Sequence, residues 1–258
     1  MSVHRKRNAD APPGSFACEA SGLRWLGSVP GGVPCARVVD VDETTLTIES
    51  LTTASPTRAA AVEFGSRLAV THAAGAVAFG APPDDWSGPG YFGPSARPLP
   101  MAFGAYERWG EFYAEARLRP ALDAAEALPA SVAHGVRDVI ARCRSGDFDD
   151  GEAPARLHGD LWSGNVMWTP RGVVLIDPAA HGGHRESDLA MLALFGCPHL
   201  DDVMSGYQAR QPLGKGWQDR RGLHQLYPLL MHVALFGHTY ASSVAEVTSS
   251  ALRIGRRG

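Results

Sequence analysis

Lysine is almost absent from the sequence: of its 24 basic residues, only Lys6 and Lys215 are lysines. Any chemistry that needs an ammonium group therefore has two candidates. The charges are nearly balanced, with a net charge of −3 and a pI near 6.4. We expect neither nucleic acid nor an acidic membrane surface as a partner, because both attract strongly basic proteins.

Long apolar runs and paired cysteines are also missing. No window reaches the ~18 consecutive apolar residues of a membrane-spanning helix, and the polar N-terminus lacks the apolar core of a secretory signal. The four cysteines lie far apart without a Cys-x-x-Cys pair, which argues against a zinc ribbon or a thioredoxin-like motif. We therefore expect a cytoplasmic protein with reduced thiols.

The composition is that of a folded protein, with 45% hydrophobic and 20% charged residues. Alternating β-branched residues predict a hairpin over 36–41 and 44–50, preceded by a helix that Ser15 would cap. The Pro- and Gly-rich stretch 75–100 predicts a long loop. Helical spacing predicts helices over 58–74, 101–128 with an interruption at Pro120, 130–144, 187–195 and 218–250. This order indicates an α+β fold.

Two aspartates and an asparagine flank one predicted hairpin in the segment 157–178. Asp160 and Asn165 are followed by strands over 165–168 and 173–176, and these return the chain to Asp177. We therefore expect two carboxylates and one carboxamide to converge at one end of the hairpin. Such hard oxygen ligands can hold Mg²⁺ and leave one carboxylate for a substrate hydroxyl.

Protein kinases use this arrangement, with Asp and Asn in the motif H-R-D-x-x-x-x-N and a metal-binding Asp after a hairpin. Here the motif is H-G-D-x-x-x-x-N, and Gly159 replaces the arginine that senses activation-loop phosphorylation. The pattern predicts a kinase of small molecules. His158 is more typical of a structural residue that supports the loop, while Trp162 fits either a core position or a wall of the active site.

These residues resemble the fructosamine kinase (ketosamine-3-kinase) family, which has the aminoglycoside phosphotransferase and choline kinase-like fold. The resemblance rests on LHGDLWSGN at 157–165 and IDPAAHGGHRESDLAM at 176–191, and it extends over roughly residues 4 to 245. It implies a two-lobed protein-kinase-like fold. Residues 1–52 would form a small lobe with a curtailed antiparallel sheet, and residues 53–258 a mainly helical lobe.

The resemblance also implies roles for the three residues around the hairpin. Asp160 would orient a sugar hydroxyl and accept its proton. Asn165 and Asp177 would coordinate Mg²⁺ that bridges the phosphates of ATP. The acceptor would be a ketosamine, either free or attached to a protein, and phosphorylation at the third carbon of the sugar would make the adduct unstable. The protein is expected to act as a monomer.

In the small lobe, the resemblance implies a nucleotide site. Lys6 would pair with the α- and β-phosphates and with Glu19 on a helix equivalent to helix C of kinases, and Glu49 would present backbone groups to adenine. Without the resemblance, Lys6 would read as part of a solvated basic tail. Lys215 lies in a glycine-flanked loop without a P-loop motif, and we expect it to be solvated.

Four further residues are candidates for the acceptor side, namely Trp162, His184, Arg185 and Trp217. The alternative for the run 183–188 is a buried salt-bridge network in which Asp188 caps the following helix. His224 and His232 are expected to be core or surface residues rather than metal ligands.

The sequence departs from the family pattern in two places. Only five residues precede Lys6, whereas a glycine-rich hairpin over the phosphates needs about 15–30 residues. Either the natural protein is longer, or the chain lacks this lid. In addition, His181 and Gly182 stand where the family has two tyrosines, which leaves the acceptor open. An aminoglycoside or choline-type phosphotransferase and a lid-less pseudokinase without turnover therefore remain alternative interpretations.

Overall fold

A three-stranded antiparallel sheet and one helix form the N-terminal lobe of the computed structural model, which describes residues 2–255. The helix packs on the sheet through Phe16, Ala20 and Leu23, which contact the sheet residues Leu46 and Ile48. The sheet order is β1-β3-β2. These elements are β1 (Val3–Arg7), α1 (Ser15–Gly27), β2 (Val38–Val41) and β3 (Thr45–Glu49).

The predicted hairpin of β2 and β3 is confirmed, and the basic residues at the N-terminus form strand β1 rather than a solvated tail. Lys6 lies opposite Leu46 in the ladder, and Val3 lies opposite Glu49. The predicted cap by the Ser15 side chain is wrong: Ser15 is the first residue of α1, and Gly14 before it has a φ of +78°. The chain enters the helix through this left-handed glycine, so no side-chain cap forms.

The second lobe is mainly helical, with small two-stranded sheets that flank the loops carrying Asp160 and Asp177. The strand before the loop at 158–165 pairs with the strand after the loop at 176–180, and a hairpin lies between these two loops in the chain. The predicted division at residue 52 falls between β3 and α2 and stays a prediction. The elements that carry this lobe are α2 (Arg58–Ala73), α5 (Ala130–Ser145), β6 (Ala155–Leu157), β7 (Val166–Thr169), β8 (Gly172–Leu175), β9 (His181–Gly183), α6 (Glu186–Leu194), α7 (Leu200–Arg210), α8 (Trp217–Phe236) and α9 (Ala241–Arg253).

Two segments that contain proline differ from the prediction. The predicted loop 75–100 contains a hairpin of β4 (Gly90–Phe92) and β5 (Leu99–Met101), with Pro100 opposite Tyr91. The predicted helix 101–128 begins only at Trp109 and runs through α3 (Trp109–Phe112), the π-helical turn Tyr113–Leu118 and α4 (Arg119–Ala124). Pro120 lies in the first turn of α4, where the missing N–H does not interrupt the helix.

The predicted helix over 218–250 is two helices, because Gly237 ends α8 with a φ of +74°. Helix α7 was not predicted. Within residues 2–255, no helix combines the length and the apolar character that crossing a bilayer requires.

Helices α2 and α7 pack closely because a glycine on each helix admits the backbone of the other. A Cβ atom on Gly65 would lie 1.9 Å from the Val203 carbonyl oxygen, and one on Gly206 would lie 2.0 Å from the Val62 carbonyl oxygen. This contact supports the core formed by Phe64, Leu68 and Tyr207, against which β7 and β8 pack.

We therefore expect Gly206→Ala to lower the free energy of unfolding by about 1–3 kcal/mol, because the added methyl group would clash with backbone. The matched control is Gly222→Ala on α8, where the added Cβ would lie 3.5 Å from its nearest neighbours and helix propensity favours alanine. Urea unfolding of both variants measures the difference. Equal stability of the two variants would contradict the packing argument.

Candidate active site

Two loops of the helical lobe and strand β1 meet at the boundary between the lobes and bring the predicted site residues together. The loop after β6 carries Asp160, the loop after β8 carries Asp177, and Lys6 comes from β1. The Gly159 backbone passes so close to the second loop that a Cβ there would lie 2.1 Å from the Ala179 carbonyl oxygen. Gly159 also has a φ of +80°, so the position requires glycine for both reasons.

Lys6 lies between two carboxylates. Its Nζ is 2.6 Å from Glu19 Oε1 and 2.5 Å from Asp177 Oδ1. Burial by itself would lower the pKa of Lys6, but the two carboxylates outweigh it and the pKa is raised. Lys6 is therefore a charged ammonium that joins β1, α1 and the loop after β8. The expected pairing of Lys6 with Glu19 is present.

Asn165 links Asp160 and Asp177. Its Nδ2 donates to the Asp160 carbonyl oxygen at 2.8 Å, with longer contacts to Asp160 Oδ2 at 3.3 Å and to the Asp177 carbonyl oxygen at 3.4 Å. Asp177 has a φ of +56°, which is strained for a residue with a side chain. Because the amide nitrogen of Asn165 makes these bonds, its oxygen is left for another partner.

Asp160 lines the same cleft. Burial raises the pKa of its carboxyl to about 7, the Asn165 amide opposes this, and the charges of Asp177 and Asp188 add to it. A carboxyl with a pKa near neutrality is suited to exchange a proton with a substrate group.

The loop that carries Asp160 is held by a buried carboxylate, that of Asp188. Its Oδ2 accepts from the His158 backbone N–H at 2.8 Å, and its Oδ1 accepts from the Gly159 N–H at 2.9 Å. His72 Nε2 lies 3.2 Å from the same carboxylate. The predicted capping of α6 by Asp188 is wrong, because the carboxylate points into the protein and bonds the loop instead. The sequence does not show this, since an aspartate in a first helical turn is typical of capping.

His158 connects the two loops. Its Nε2 donates to the Ile176 carbonyl oxygen at 2.8 Å, and its Nδ1 accepts from the Asp160 backbone N–H at 3.3 Å. Burial lowers the pKa of His158, so the ring is neutral and can donate with one nitrogen and accept with the other. These bonds fix the separation between the backbone of Asp160 and that of Asp177.

His184 and Arg185 do not reach the cleft. His184 Nε2 lies 3.2 Å from Asp150 Oδ1, and Arg185 Nε donates to Glu152 Oε2 at 2.9 Å. Both side chains are buried and committed to these carboxylates, so the structure places them as a salt-bridge network that fixes the start of α6. A buried guanidinium needs acceptors for its N–H groups, and the segment 150–152 supplies a carboxylate for Arg185.

Trp217 also lies away from Asp160. It lines a separate groove of about 550 Å³ between α6, α7 and α8, together with Met204 and Arg221. Lys215, the other lysine, is exposed.

His184, Glu186 and His224 form a cluster whose ligand atoms lie within 4.8 Å of one another. Glu186, however, is paired with Arg220, whose Nε donates to Glu186 Oε2 at 2.9 Å. Burial lowers the pKa of His224 to about 4. A cation at this position would lie against a guanidinium, so the cluster is an ion-pair network rather than a metal site.

The N-terminal lobe meets the cleft at the end of β3. Glu49 Oε1 accepts from the Arg37 backbone N–H at 3.0 Å, so its carboxylate is engaged within the lobe. The chain then runs through Leu51 and Thr52, whose backbone groups make no hydrogen bond within the described residues. Ala54 N–H donates to the Trp168 carbonyl oxygen at 2.8 Å, which ties this connection to β7.

A chain of aromatic rings extends from the Asp160 loop to the C-terminal helices. Trp162 is 40% exposed, and its ring centroid is 6.5 Å from that of Phe195. Phe195 in turn contacts His232 at 4.8 Å, and His232 contacts Phe236 and Tyr240. We call these five residues the aromatic wall. Only Trp162 was predicted, although the i, i+4 spacing of His232 and Phe236 on one helix face could have indicated the pair.

We expect Asp188→Asn to lower the free energy of unfolding at neutral pH by about 1–3 kcal/mol, because the amide would turn an N–H toward backbone donors. The folded-state pKa of Asp188 is lowered, chiefly by His72 acting against burial. The stabilisation is therefore present above the unfolded pKa of about 3.9 and lost as the pH falls through the folded pKa.

Unfolding of wild type and variant between pH 7 and pH 3 measures this. The control Asp123→Asn, at an exposed carboxylate, should change stability by no more than about 0.5 kcal/mol. A difference between wild type and Asp188→Asn that grows toward low pH would contradict the assignment.

Comparison with known proteins agrees with this geometry. The family model described as fructosamine kinase matches residues 2–254. A candidate ketoamine kinase of Synechocystis sp. is 33% identical over 207 residues, covering 74% of this chain and 61% of that protein. The matches cover 34%, 34% and 61% of the lengths of the first three curated relatives.

Solved structures show the same relationship. The crystal structure of a candidate fructosamine-3-kinase from Thermobifida fusca has a TM-score of 0.88 and 46% identity, covering 97% of this chain and 85% of that chain. An aminoglycoside phosphotransferase with 14% identity and a TM-score of 0.58, covering 99% of this chain and 95% of that chain, shares the fold alone. The fold is thus the protein-kinase-like fold of the aminoglycoside phosphotransferases, as predicted, and the chain belongs to the fructosamine kinase family.

Proposed function

We propose that the protein is an ATP-dependent kinase that phosphorylates a sugar hydroxyl of a ketosamine. The observation that carries the proposal is the convergence of Lys6, Glu19, Asp160, Asn165 and Asp177 at one cleft between the lobes. Phosphoryl transfer requires a cation for the phosphates, oxygen ligands for a metal, and a carboxylate for the acceptor, and these residues offer groups of each kind.

Asp160 positions the acceptor hydroxyl and accepts its proton. Its backbone is fixed by His158 and its side chain contacts Asn165, so the carboxyl is held before the acceptor arrives. Because the transition state of phosphoryl transfer is loose, orientation of the hydroxyl contributes as much as removal of the proton.

The phosphates lie on the Lys6 side of the cleft. Lys6 donates to the α- and β-phosphates while Glu19 holds its ammonium in place. Asn165 and Asp177 fit Mg²⁺, because both offer hard oxygen ligands. The bonds of the Asn165 nitrogen leave its oxygen uncommitted, and the carboxylate of Asp177, which pairs with Lys6 through Oδ1, remains 39% exposed. When bound, Mg²⁺ would neutralise charge on the phosphates.

The adenine lies against the connection that follows β3. Among the residues that the structure describes, the backbone groups of Leu51 and Thr52 have no hydrogen-bond partner and can therefore bond to a base. Glu49 itself is engaged with Arg37, since its backbone N–H donates to the Arg37 carbonyl oxygen and its carboxylate accepts from the Arg37 N–H. The contacts proposed for adenine therefore come from Leu51 and Thr52, rather than from the Glu49 side chain.

The acceptor lies against the aromatic wall. Trp162 is two residues from Asp160, and the apolar face of a sugar packs well on an exposed indole ring. Trp162 and Phe236 are 40% and 56% exposed, so a ketosamine on a free amine or on a protein side chain can reach them. Phosphorylation of the hydroxyl on the third carbon of the sugar would make the adduct unstable, which makes deglycation the proposed biological role.

Asp160→Asn tests the reaction. We expect turnover of a fructosyl-amine, measured by coupled ADP release, to fall by about 10²–10⁴, because the amide cannot accept the proton. Nucleotide affinity and the thermal unfolding temperature should be nearly unchanged. The exposed-site control Asp123→Asn should retain full activity. A rate loss below tenfold would contradict the role of Asp160, and no turnover by wild type at any Mg²⁺ concentration would contradict the function.

Trp162→Ala tests the acceptor side. We expect the KM for the ketosamine to rise roughly tenfold through loss of ring contact, with the KM for ATP unchanged. The control Trp217→Ala removes the tryptophan of the separate groove and should leave both KM values unchanged. If aminoglycosides or choline outcompete fructosyl-amines in the same assay, the acceptor assignment is wrong, while the kinase assignment holds.

A further inference from the structure

The hairpin of β4 and β5 reaches from the helical lobe to the N-terminal lobe across one side of the cleft. We call residues 90–101 the strap. Its base is rooted in the helical core, where Phe92 and Met101 are buried and the Phe92 ring contacts Tyr227 at 5.4 Å. Close to its tip, Arg97 Nη1 donates to the Leu235 carbonyl oxygen at 3.1 Å near the end of α8. The strap is therefore fixed to the helical lobe at both ends.

The other face of the strap contacts the N-terminal lobe at a short stretch of chain. Tyr91 Oη donates to the Pro13 carbonyl oxygen at 2.8 Å, and Asn8 Nδ2 donates to the Ser95 carbonyl oxygen at 2.9 Å. Cys18 on α1 lines the same small cavity as Tyr91. These contacts bracket the connection between β1 and α1.

That connection begins after Lys6 and leads to Glu19, the two members of the ion pair proposed to serve the nucleotide phosphates. Tyr91, Gly93 and Ser95 of the strap also line the small cavity, about 40 Å³, that Lys6, Glu19, Asp160 and Asp177 share. A shift of α1 away from the strap would thus change the distance between Lys6 and Glu19.

The motif at 158–160 carries glycine where protein kinases have the arginine that couples their activation loop to the active site. An element that holds α1 is still required, because the Lys–Glu pair must be in place for phosphoryl transfer. The strap contacts the chain just before α1 and belongs to the same lobe as Asp160.

We propose that the strap holds α1 in the position in which Glu19 pairs with Lys6, and that Tyr91 and Asn8 are positioning residues for the reaction. This rests on the proposed kinase function. The strap thus acts as a permanent internal clamp, and the active arrangement of the small lobe needs no modification of the chain.

The test uses Tyr91→Phe, Asn8→Asp and the double variant in the full chain. Tyr91→Phe keeps the ring and removes the bond to Pro13, while Asn8→Asp keeps the shape and the acceptor for the Asp10 N–H at 2.9 Å but removes the donor to Ser95. The control is Tyr106→Phe, at a residue that lies beyond the C-terminal end of the strap and whose hydroxyl makes no hydrogen bond within residues 2–255.

Hydrogen–deuterium exchange measures how well the amides of α1 are protected, independently of enzyme activity. We expect amides of α1 to exchange roughly tenfold faster in the double variant, with α5 and α9 unchanged. The control should exchange like wild type. Unchanged exchange in α1, or equal acceleration in all helices, would overturn the proposal, since the strap would then be inert or merely structural.

Kinetics test whether the strap acts through Glu19. We expect kcat/KM for ATP to fall roughly tenfold in the double variant while the KM for the ketosamine stays constant. In a Glu19→Gln background, the strap substitutions should have little further effect. Additive losses would overturn the proposal. Wild type with slow α1 exchange but no turnover would contradict the kinase function instead, so the two failures are distinguishable.

Discussion

The ammonium of Lys6 joins three parts of the protein that are far apart in the sequence. It contacts Glu19 of α1 and Asp177 of the loop after β8, so the small sheet, its helix and the helical lobe share one charged centre. Two carboxylates near one another repel, and the cation between them removes that repulsion. Lysine is scarce in this sequence, yet it stands at this position. Arginine is too large and too planar to replace an ammonium between two single oxygens.

A second set of interactions keeps the backbone around this centre fixed. Asp188 holds the loop at 158–159 by two backbone N–H groups, and His158 ties that loop to Ile176. The strained φ of Asp177 persists because Ile176 before it is bonded to His158 and Asn165, and Asp177 itself is paired with Lys6. Rigid support of this kind lets a cleft present a carboxylate and a cation at fixed separation without reorganisation during the reaction.

The clustered motifs made much of the site predictable. Asp160, Asn165 and Asp177 were expected to converge because a hairpin must return the chain to its start, and they do. The sequence could not distinguish His184, Arg185 and Trp217 from residues that line the cleft, because sequence spacing does not show which way a side chain points. The strap was missed for a related reason: prolines and glycines hide short strands whose pairing is decided by contacts distant in the chain.

The sequence alone determined the class of the fold and the chemical types at the site, because the motif spacing, the hydrophobic periodicity and the two lysines are local properties of the chain. The tertiary structure alone decided that Asp188 is an anchor rather than a cap, that five aromatic rings form one wall, and that a proline-rich segment bridges the lobes. These depend on burial and on long-range hydrogen bonds, which are set only when distant segments pack together.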